Sequence, residues 1–361
     1  MAADKQAGVI PNSDYSRVNL TGASQAQVNR WLTTDLSVSF ANTDNNQPYK
    51  GDAGPLIGLL VWPSTDNAKD YLTAAGNRRR ATILAQSTEV DNPYFNVNKN
   101  VSNAKNSRLL LNLGLVVTPF SWGDIKTNLG VDGYTASNLI LRNPESAIGY
   151  SYLGVIDIAN DVTRNLNALT TLNFHPHTIF RKDFSVSGFV GNAISDSKST
   201  VDASEGQNFL DPNFVSINNT SQRTSRTTIT QRRLVSAFAQ ATFDYKDYLY
   251  VNITGRNDWT STIPINQNSF FYPSISTSFV FTDAFPRLGK FMTGKLRAGF
   301  AEVGKDARPY AYAASLEYKT TTNGGYGYGF TGPTPPPKPQ SPKTKQPDTQ
   351  PPVRPDRPGV D

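Results

Sequence analysis

Length, composition and charge narrow the classes of protein to which this chain can belong. Of its 361 residues, 18% are charged and 11% are aromatic, and no window approaches the roughly 18 to 20 apolar residues that a membrane-spanning helix requires. The absence of cysteine excludes a disulfide framework. The net charge of +6 does not indicate a nucleic-acid partner, because the basic residues are scattered apart from one triplet and the Pro-rich end. We interpret the triplet, Arg78, Arg79 and Arg80, as a solvated loop cluster.

Residues 1–42 start without a secretory signal and continue into two candidate strands. Residues 1–12 lack both the apolar core and the small-residue cleavage site of a signal peptide, so we expect no such signal in this chain. In residues 15–23 and 36–42, apolar residues alternate with polar ones at every second position. This alternation predicts strands with one apolar face and one polar face.

A long polar segment separates these strands from a clear hairpin. Residues 43–107 are rich in Asn, Asp, Gly and Pro, and we interpret them as an extracellular loop with a short helix at 68–75. Beyond them, apolar residues alternate on both sides of a turn at 121–124, with polar residues such as Asn112, Lys126 and Asn128 on the opposite face. A wall with lipid on one side and a polar lumen on the other has this pattern.

The next segment contains the only two histidines of the chain. Two candidate strands within residues 166–190 are joined by the sequence HPHTIFRKD, which contains His175 and His177. Pro176 favours a turn, and no neighbouring Cys, Asp or Glu completes a ligand set, so we expect no metal site and no other cofactor. Residues 192–225 are rich in Ser, Asn and Asp and are predicted to form a second extracellular loop.

Residues 234–259 form the hairpin around which the other predictions are organised. Its odd-numbered positions are mostly apolar and its even-numbered positions mostly polar on both sides of a turn at Lys246 and Asp247. Four aromatic residues gather at this turn, as is typical of strand ends at a membrane–water interface. They are Phe243, Tyr245, Tyr248 and Tyr250.

Five short motifs in this region resemble, in order and spacing, the barrel of SusC/RagA-type outer-membrane proteins, the TonB-dependent nutrient transporters. The motifs are FAQ at 238–240, DYKD at 244–247, Arg256 with Asp258, YPS at 272–274, and KLRA at 295–298 followed by Gly304. Weaker similarities occur at 10–15 and 92–95. The resemblance covers roughly residues 8–330.

The resemblance implies an all-β fold, an antiparallel transmembrane β-barrel segment of about ten to twelve strands in a larger barrel. Barrels of this transporter class have about 22 strands, so residues 1–332 would supply roughly half the wall. Large nutrients, oligosaccharides or peptides, would enter with a SusD-like lipoprotein, and the TonB complex would drive import. The parent protein would contact outer-membrane lipid. The family's plug domain has no counterpart here, so we expect the fragment to be inactive alone.

Candidate ligand contacts come from the hairpin at 234–259. Tyr250, Arg256 and Asp258 lie on its polar face and Trp259 at its end, where aromatic rings suit sugars and forked donors suit carboxylates or hydroxyls. The same residues also fit a structural ladder of polar groups in the barrel wall. No nucleophile with a base, phosphate loop or paired carboxylates can be identified, so we expect no enzyme.

Two further features leave alternatives open. Residues 333–361 hold 11 of the 24 prolines and are predicted to be a disordered Pro-rich tail, either out-of-frame sequence or a ligand for a partner domain. The rival to the barrel is a secreted or surface β-rich binding protein or adhesin, in which the alternating strands bury their apolar faces against a second sheet.

Overall fold

The computed structural model describes residues 1–80, 89–179, 183–289 and 292–311, together with the backbone of three later strands. Strands account for most of these residues. The first eleven are β1 (Ala2–Ala7), β2 (Asp14–Asn29), β3 (Leu32–Asn46), β4 (Val101–Phe120), β5 (Gly123–Arg142), β6 (Val155–Thr178), β7 (Phe184–Phe209), β8 (Thr220–Tyr245), β9 (Leu249–Thr260), β10 (Ser269–Phe279) and β11 (Leu296–Gly304). The later strands are β12 (Ser315–Thr320), β13 (Tyr326–Thr331) and β14 (Lys343–Gln350).

The strands form one antiparallel meander. Each of β1 to β11 pairs with its neighbours in chain order, β14 adds to the free side of β11, and β12 pairs with β13 separately. The prediction of an antiparallel sheet of ten to twelve strands is confirmed. Within the described chain the sheet is open, with β1 at one edge and β14 at the other. None of the described helices has the length and apolar composition needed to cross a membrane.

The register places the apolar positions of ten neighbouring strands on one face of the sheet. This apolar face includes Val18, Leu20, Leu36, Val38, Phe40, Leu109, Leu111, Leu113, Leu115, Val117, Ile125, Leu129, Val131, Leu166, Leu172, Phe184, Val186, Val190, Val235, Phe243, Val251, Ile253, Phe271, Ile275, Leu296 and Phe300. No second sheet covers this face in the described part of the chain, and Leu36 and Ile253 are 45% and 48% exposed. The described residues therefore do not have the arrangement of the rival fold, in which these side chains are buried against a second sheet.

The opposite face is polar, as the sequence predicts. Cross-strand pairs hold its side chains together: Arg108 donates two hydrogen bonds to Asp132, at 2.9 and 2.8 Å, and the Thr242 hydroxyl donates to Asn252 at 2.7 Å. Such pairs stabilise neighbouring strands and satisfy polar groups. This polar face is the side that a barrel turns toward its lumen.

Aromatic side chains gather at the end of the sheet where the turns are short. Trp122 stacks on Phe120 and on Phe174, with ring centroids 4.9 and 5.7 Å apart. Tyr248 packs edge-on against Tyr245 and Phe279, with ring centroids 5.5 and 6.0 Å apart. These clusters have the arrangement of an aromatic girdle at a membrane interface. Tyr134 is not part of these clusters: it lies on the polar face, where its hydroxyl donates to Asn106.

The turn of the central hairpin has an unusual backbone. Lys246 and Asp247 both have positive φ, 51° and 58°, which is the conformation of a two-residue turn that matches strand twist. The Asp247 N–H donates to the Asp244 carboxylate at 3.0 Å, a local bond that stabilises this turn without glycine. The predicted turn position is thus confirmed.

The loops at the opposite end are shorter than the sequence indicates. β3 continues to Asn46 and β4 starts at Val101, so the predicted loop at 43–107 is confined to residues 47–100. The predicted loop at 192–225 is confined to 210–219, because β7 and β8 remain paired through most of it. Ser, Asn and Asp lower strand propensity, but the backbone ladder continues wherever two neighbours are already aligned.

The helices of the first long loop also differ from the prediction. No helix forms at 68–75; the loop contains α1 (Pro55–Val61) and α2 (Pro93–Lys99) instead. Proline occupies the first turn of both helices, where its missing N–H costs nothing. The Asn92 side chain caps α2 by accepting bonds from the N–H groups of Tyr94 and Phe95. The capping residues of α2, Asn92 and Pro93, lie within the weak family similarity at 92–95.

Part of the predicted disordered tail is extended and paired. β14 lies along β11, with Pro347 opposite Phe300. An extended Pro-rich backbone can occupy a sheet edge, because a proline there need not donate to a further strand. The remainder of the predicted tail, 333–342 and 351–361, lies outside the described residues.

Candidate functional site

The polar face of β8 and β9 holds Arg256 in a fixed position. Its Nε donates to an Asp258 carboxylate oxygen at 2.7 Å, and its Nη2 donates to the Ser236 hydroxyl at 2.9 Å. The guanidinium also lies 5.9 Å from the centre of the Phe238 ring. The Arg256 side chain nevertheless remains 42% exposed toward the lumen. It is therefore oriented by three neighbours and still open to a further acceptor.

A second group of polar residues adjoins Arg256 at the long-loop end. Arg232 donates from Nε and Nη2 to the two carboxylate oxygens of Asp306 at 2.8 and 2.9 Å. The hydroxyls of Thr260 and Thr262 donate to the same carboxylate at 2.9 and 3.2 Å. Asp306 follows β11, so these bonds tie the segment 305–311 to β8 and β9. Sequence reasoning missed this group, since Arg232 and Asp306 are far apart in the chain and no local motif links them.

The hydrogen bonds that hold segment 305–311 against β8 and β9 depend on pH, because they all involve the Asp306 carboxylate. Burial raises the pKa of Asp306, but hydrogen bonds from Arg232 and the two threonines, together with the charge of Arg232, outweigh it and leave the pKa below its usual value. A carboxyl with a lowered folded-state pKa stabilises above its unfolded pKa, about 3.9, and loses that contribution as the pH falls through the folded value.

We expect segment 305–311 to detach from β8 and β9 as the pH falls below about 4. Limited proteolysis of this segment between pH 7 and pH 3 measures the detachment. An Asp306→Asn variant should be more sensitive at pH 7 and should change little with pH. Equal pH profiles for the two proteins would contradict this role of Asp306.

Tyr250 lies near the other end of the same polar face. Arg256 is six positions further along β9, about 20 Å along a strand. Its hydroxyl donates to the Asp247 carbonyl at 2.8 Å, and its ring lines an open cavity of about 450 Å³ with Asn252, Ser276 and Arg297. The structure therefore does not bring Tyr250 together with Arg256 and Asp258.

Trp259 was predicted to be a ligand contact in the lumen, and the structure places it elsewhere. In the register it lies opposite Val235 on β8 and Ser269 on β10, at an odd position of β9. Because successive strand residues point to opposite faces, Trp259 lies on the apolar face, with 40% of its surface exposed, whereas Asp258 lies on the polar face. Trp259 is thus not a lumenal residue.

The histidine pair does not come together as a metal site. The ring of His175 lies on the polar face at the short-turn end, with Nε2 2.9 Å from an Asp124 carboxylate oxygen. Asn173 donates to the other oxygen of Asp124 at 2.8 Å. The described residues contain no group of three or more His, Cys, Asp or Glu side chains arranged to hold a metal ion.

The arginine triplet is not the solvated cluster that the sequence suggests. Arg78 is 7% exposed, and its guanidinium contacts the carboxylates of Glu89 and Asp91 at 2.5 and 3.3 Å and donates to the Glu145 carbonyl at 2.6 Å. Arg79 and Arg80 are only partly exposed and pair with Asp66 and Glu89. The acidic partners lie 9 to 67 residues away, so charge clustering along the chain could not show this pairing.

Comparison with known proteins gives no match by sequence and clear matches by structure. No protein-family model and no curated protein matches. The RagAB peptide transporter matches with a TM-score of 0.67 and 15% identity over 89% of this chain. The RagAB peptide importer in its open-open state matches with a TM-score of 0.66 and 16% identity over 90% of this chain. In both cases this chain spans 36% of the length of the matched chain.

At this level of identity the likeness shows the fold alone. Both matched structures are of the RagAB peptide transporter. The apolar face, the polar face and the aromatic girdle described above are the features of such a wall. The chain thus has the fold of part of an outer-membrane transporter barrel, and its resemblance to SusC/RagA-type TonB-dependent transporters is confirmed at the level of the fold.

Proposed function

We propose that this chain forms part of the wall of a TonB-dependent outer-membrane importer of large nutrients. The observation that carries the proposal is the division of one sheet into an uncovered apolar face and a polar face over ten strands. Lipid contact on one side and a hydrated passage on the other explain both faces. The parent protein then resides in the outer membrane, with a SusD-like lipoprotein outside and the TonB complex inside as its partners.

Peptides are the nutrient class that we favour over oligosaccharides. The similar structures belong to a peptide transporter, and the polar face carries fixed charges of both signs at Arg256 and Asp258. Such a pair suits the charged termini and side chains of peptides, through charge-assisted hydrogen bonds. We propose Arg256 and Asp258 as contacts at the long-loop end and Tyr250 as a separate contact deeper in the lumen.

The chain requires the rest of the barrel for this activity. Among the described residues its sheet is open, and a bilayer does not tolerate unpaired backbone groups along a sheet edge. The proposal therefore applies to the protein in which this segment is completed by further strands and a plug.

The location is tested by inserting an epitope into the loop at 210–219 of the protein as the cell makes it. We expect antibody labelling of intact cells and recovery of the protein in the outer-membrane fraction. Recovery in a soluble fraction would contradict the proposal and favour a secreted binding protein.

Substrate contact is tested with Arg256→Ala. We expect uptake of a fluorescent peptide mixture to fall about tenfold or more, because removing a charge-assisted bond costs about 1.5 to 3 kcal/mol. The matched control is Lys105→Ala, which removes a cation that pairs with Asp44 on the apolar face. Equal uptake by both variants at equal outer-membrane levels would exclude Arg256 as a contact. A loss confined to labelled oligosaccharides would reassign the nutrient class.

A further inference from the structure

A group of cations lies on the outward side of β6, β7 and β8. The register places Arg164 directly opposite Lys198, and the neighbouring outward pair is Asp196 opposite Arg233. These residues share the face of Leu166 and belong to the same periodic set as the apolar band. Arg164, Lys198 and Arg233 are all exposed. We call them the outward cation group.

The outward cation group lies near the upper end of the apolar band, with Val162 and Ile229 one outward position beyond the Arg164–Lys198 pair. Arg164 precedes Phe174, a member of the aromatic girdle, by ten residues, which is about 33 Å along a strand. A strand tilt of about 40° reduces this to a height of about 25 Å, which is the height of the lipid-contacting band in outer-membrane barrels. The cations therefore lie at the level of lipid headgroups on the long-loop side.

The charges of this group are not balanced within the protein. Asp196 accepts from Arg233 at 3.1 Å and from Gln231 at 3.2 Å. Among the described residues, neither Arg164 nor Lys198 forms an ion pair within 4 Å, although Asp196 is close enough to Arg164 to interact electrostatically. Like charges directly opposite each other destabilise a sheet, so this arrangement favours an external anion.

Another cation of the outward face, Lys105, is paired with a carboxylate. Lys105 also lies on the outward face beyond the apolar residues, on β4, but its Nζ lies 3.4 Å from a carboxylate oxygen of Asp44 on the neighbouring strand. That cation is balanced by the protein. Arg164 and Lys198 differ from Lys105 in that no carboxylate oxygen of the described residues lies within 4 Å of either cation.

We propose that Arg164, Lys198 and Arg233 bind the phosphate groups of a phosphorylated lipid in the outer leaflet. Charge complementarity and continuity with the apolar band select this occupant, because a lipid places acyl chains against the band and phosphates against the cations. The proposal rests on the membrane placement given above, and it adds a lipid site that is separate from the lumen.

The test uses the protein purified from outer membranes and reconstituted in phosphatidylcholine nanodiscs. Diphosphorylated lipid A, dephosphorylated lipid A and inorganic phosphate are titrated in separate arms. We expect only diphosphorylated lipid A to bind tightly. In Arg164→Gln/Lys198→Gln its Kd should rise about 25-fold, since each cation near an anionic lipid contributes about fivefold. Lys105→Gln, the matched control, should leave the Kd unchanged.

Three results would overturn the lipid site. They are equal affinity for the phosphorylated and dephosphorylated lipid, an unchanged Kd in the double variant, and competition by inorganic phosphate at concentrations comparable with lipid A. Outer-membrane levels of every variant are measured in parallel. Absence of the wild-type protein from that membrane would overturn the membrane placement itself, whereas its presence without lipid selectivity would overturn only this site.

Discussion

Leu113→Arg is expected to lower the free energy of unfolding by about 2 to 4 kcal/mol, the cost of a cation on the lipid face near the bilayer midplane. Leu113 is the middle residue of the apolar run on β4, and in the register it lies between Leu36 on β3 and Leu129 on β5. No acidic residue directly faces this position on either neighbouring strand. The measurement is unfolding by denaturant of the protein in lipid bilayers, together with its level in the outer membrane.

Asn112→Arg is the matched control for this prediction. Asn112 is adjacent in sequence but lies on the polar face, is exposed, and faces Ser37 on β3 and Gly130 on β5. An arginine there enters the hydrated lumen, so we expect a change within about 0.5 kcal/mol. If Asn112→Arg were the damaging variant and Leu113→Arg the harmless one, the assignment of the two faces would be reversed and the barrel interpretation would fail.

Arg78→Ala is expected to destabilise the first long loop by about 3 to 5 kcal/mol, because it leaves the buried Asp91 carboxylate without its counter-charge and removes one of the two cations that pair with Glu89. Glu89 and Asp91 keep only 5% and 3% of their side-chain surface exposed, so water cannot replace the guanidinium without opening the loop. Asp91 in turn accepts a bond from the backbone N–H of Ala147 at 2.7 Å, which links this loop to the next.

Cleavage of the loop by trypsin on intact cells measures this effect, because local opening sets the cleavage rate. The matched control is Arg79→Ala, the next residue, whose pair with Asp66 is 30% exposed on both sides. Exposed pairs of that kind contribute little to stability, so we expect the cleavage rate of this variant to stay close to that of the unchanged protein. Similar cleavage rates in the two variants would show that the buried position of Arg78 has no energetic consequence. An Arg78→Lys variant should restore only part of the protection, since lysine lacks the planar fork.

Sequence reasoning succeeded where the controlling interaction is local. The alternation at 109–117 and 234–259 identified both the strands and their faces, because side chains of a strand alternate between its two sides whatever the neighbouring strand is. The turn at Lys246 and Asp247 followed from the break in that alternation. The same reasoning misplaced the ends of the polar strand extensions, because Ser, Asn and Asp occur both in loops and in well-paired strands above a membrane.

The candidate site was predictable only in part, because some of its contacts join residues that are far apart in the sequence. Arg256 and Asp258 occupy neighbouring positions on one face, so their spacing alone indicated that they lie together. Trp259 was assigned to them by proximity in sequence, although the one-residue difference places it on the other face. Arg232 and Asp306 could not be paired from sequence. They are 74 residues apart, and the sequence does not indicate which strand the segment after β11 packs against.

The sequence by itself determined that this protein is a meander of amphipathic strands, with aromatic residues at the short turns and one face suited to lipid. The strands and their two faces follow from period-two patterning, which needs no knowledge of distant contacts. Only the tertiary structure decided that all the apolar faces lie on one uncovered side, that Arg78 is buried among carboxylates, and that Arg164 and Lys198 face each other outward. These features depend on the register of the strands and on where each loop packs. Both are set by the sum of many weak contacts between residues far apart in the chain.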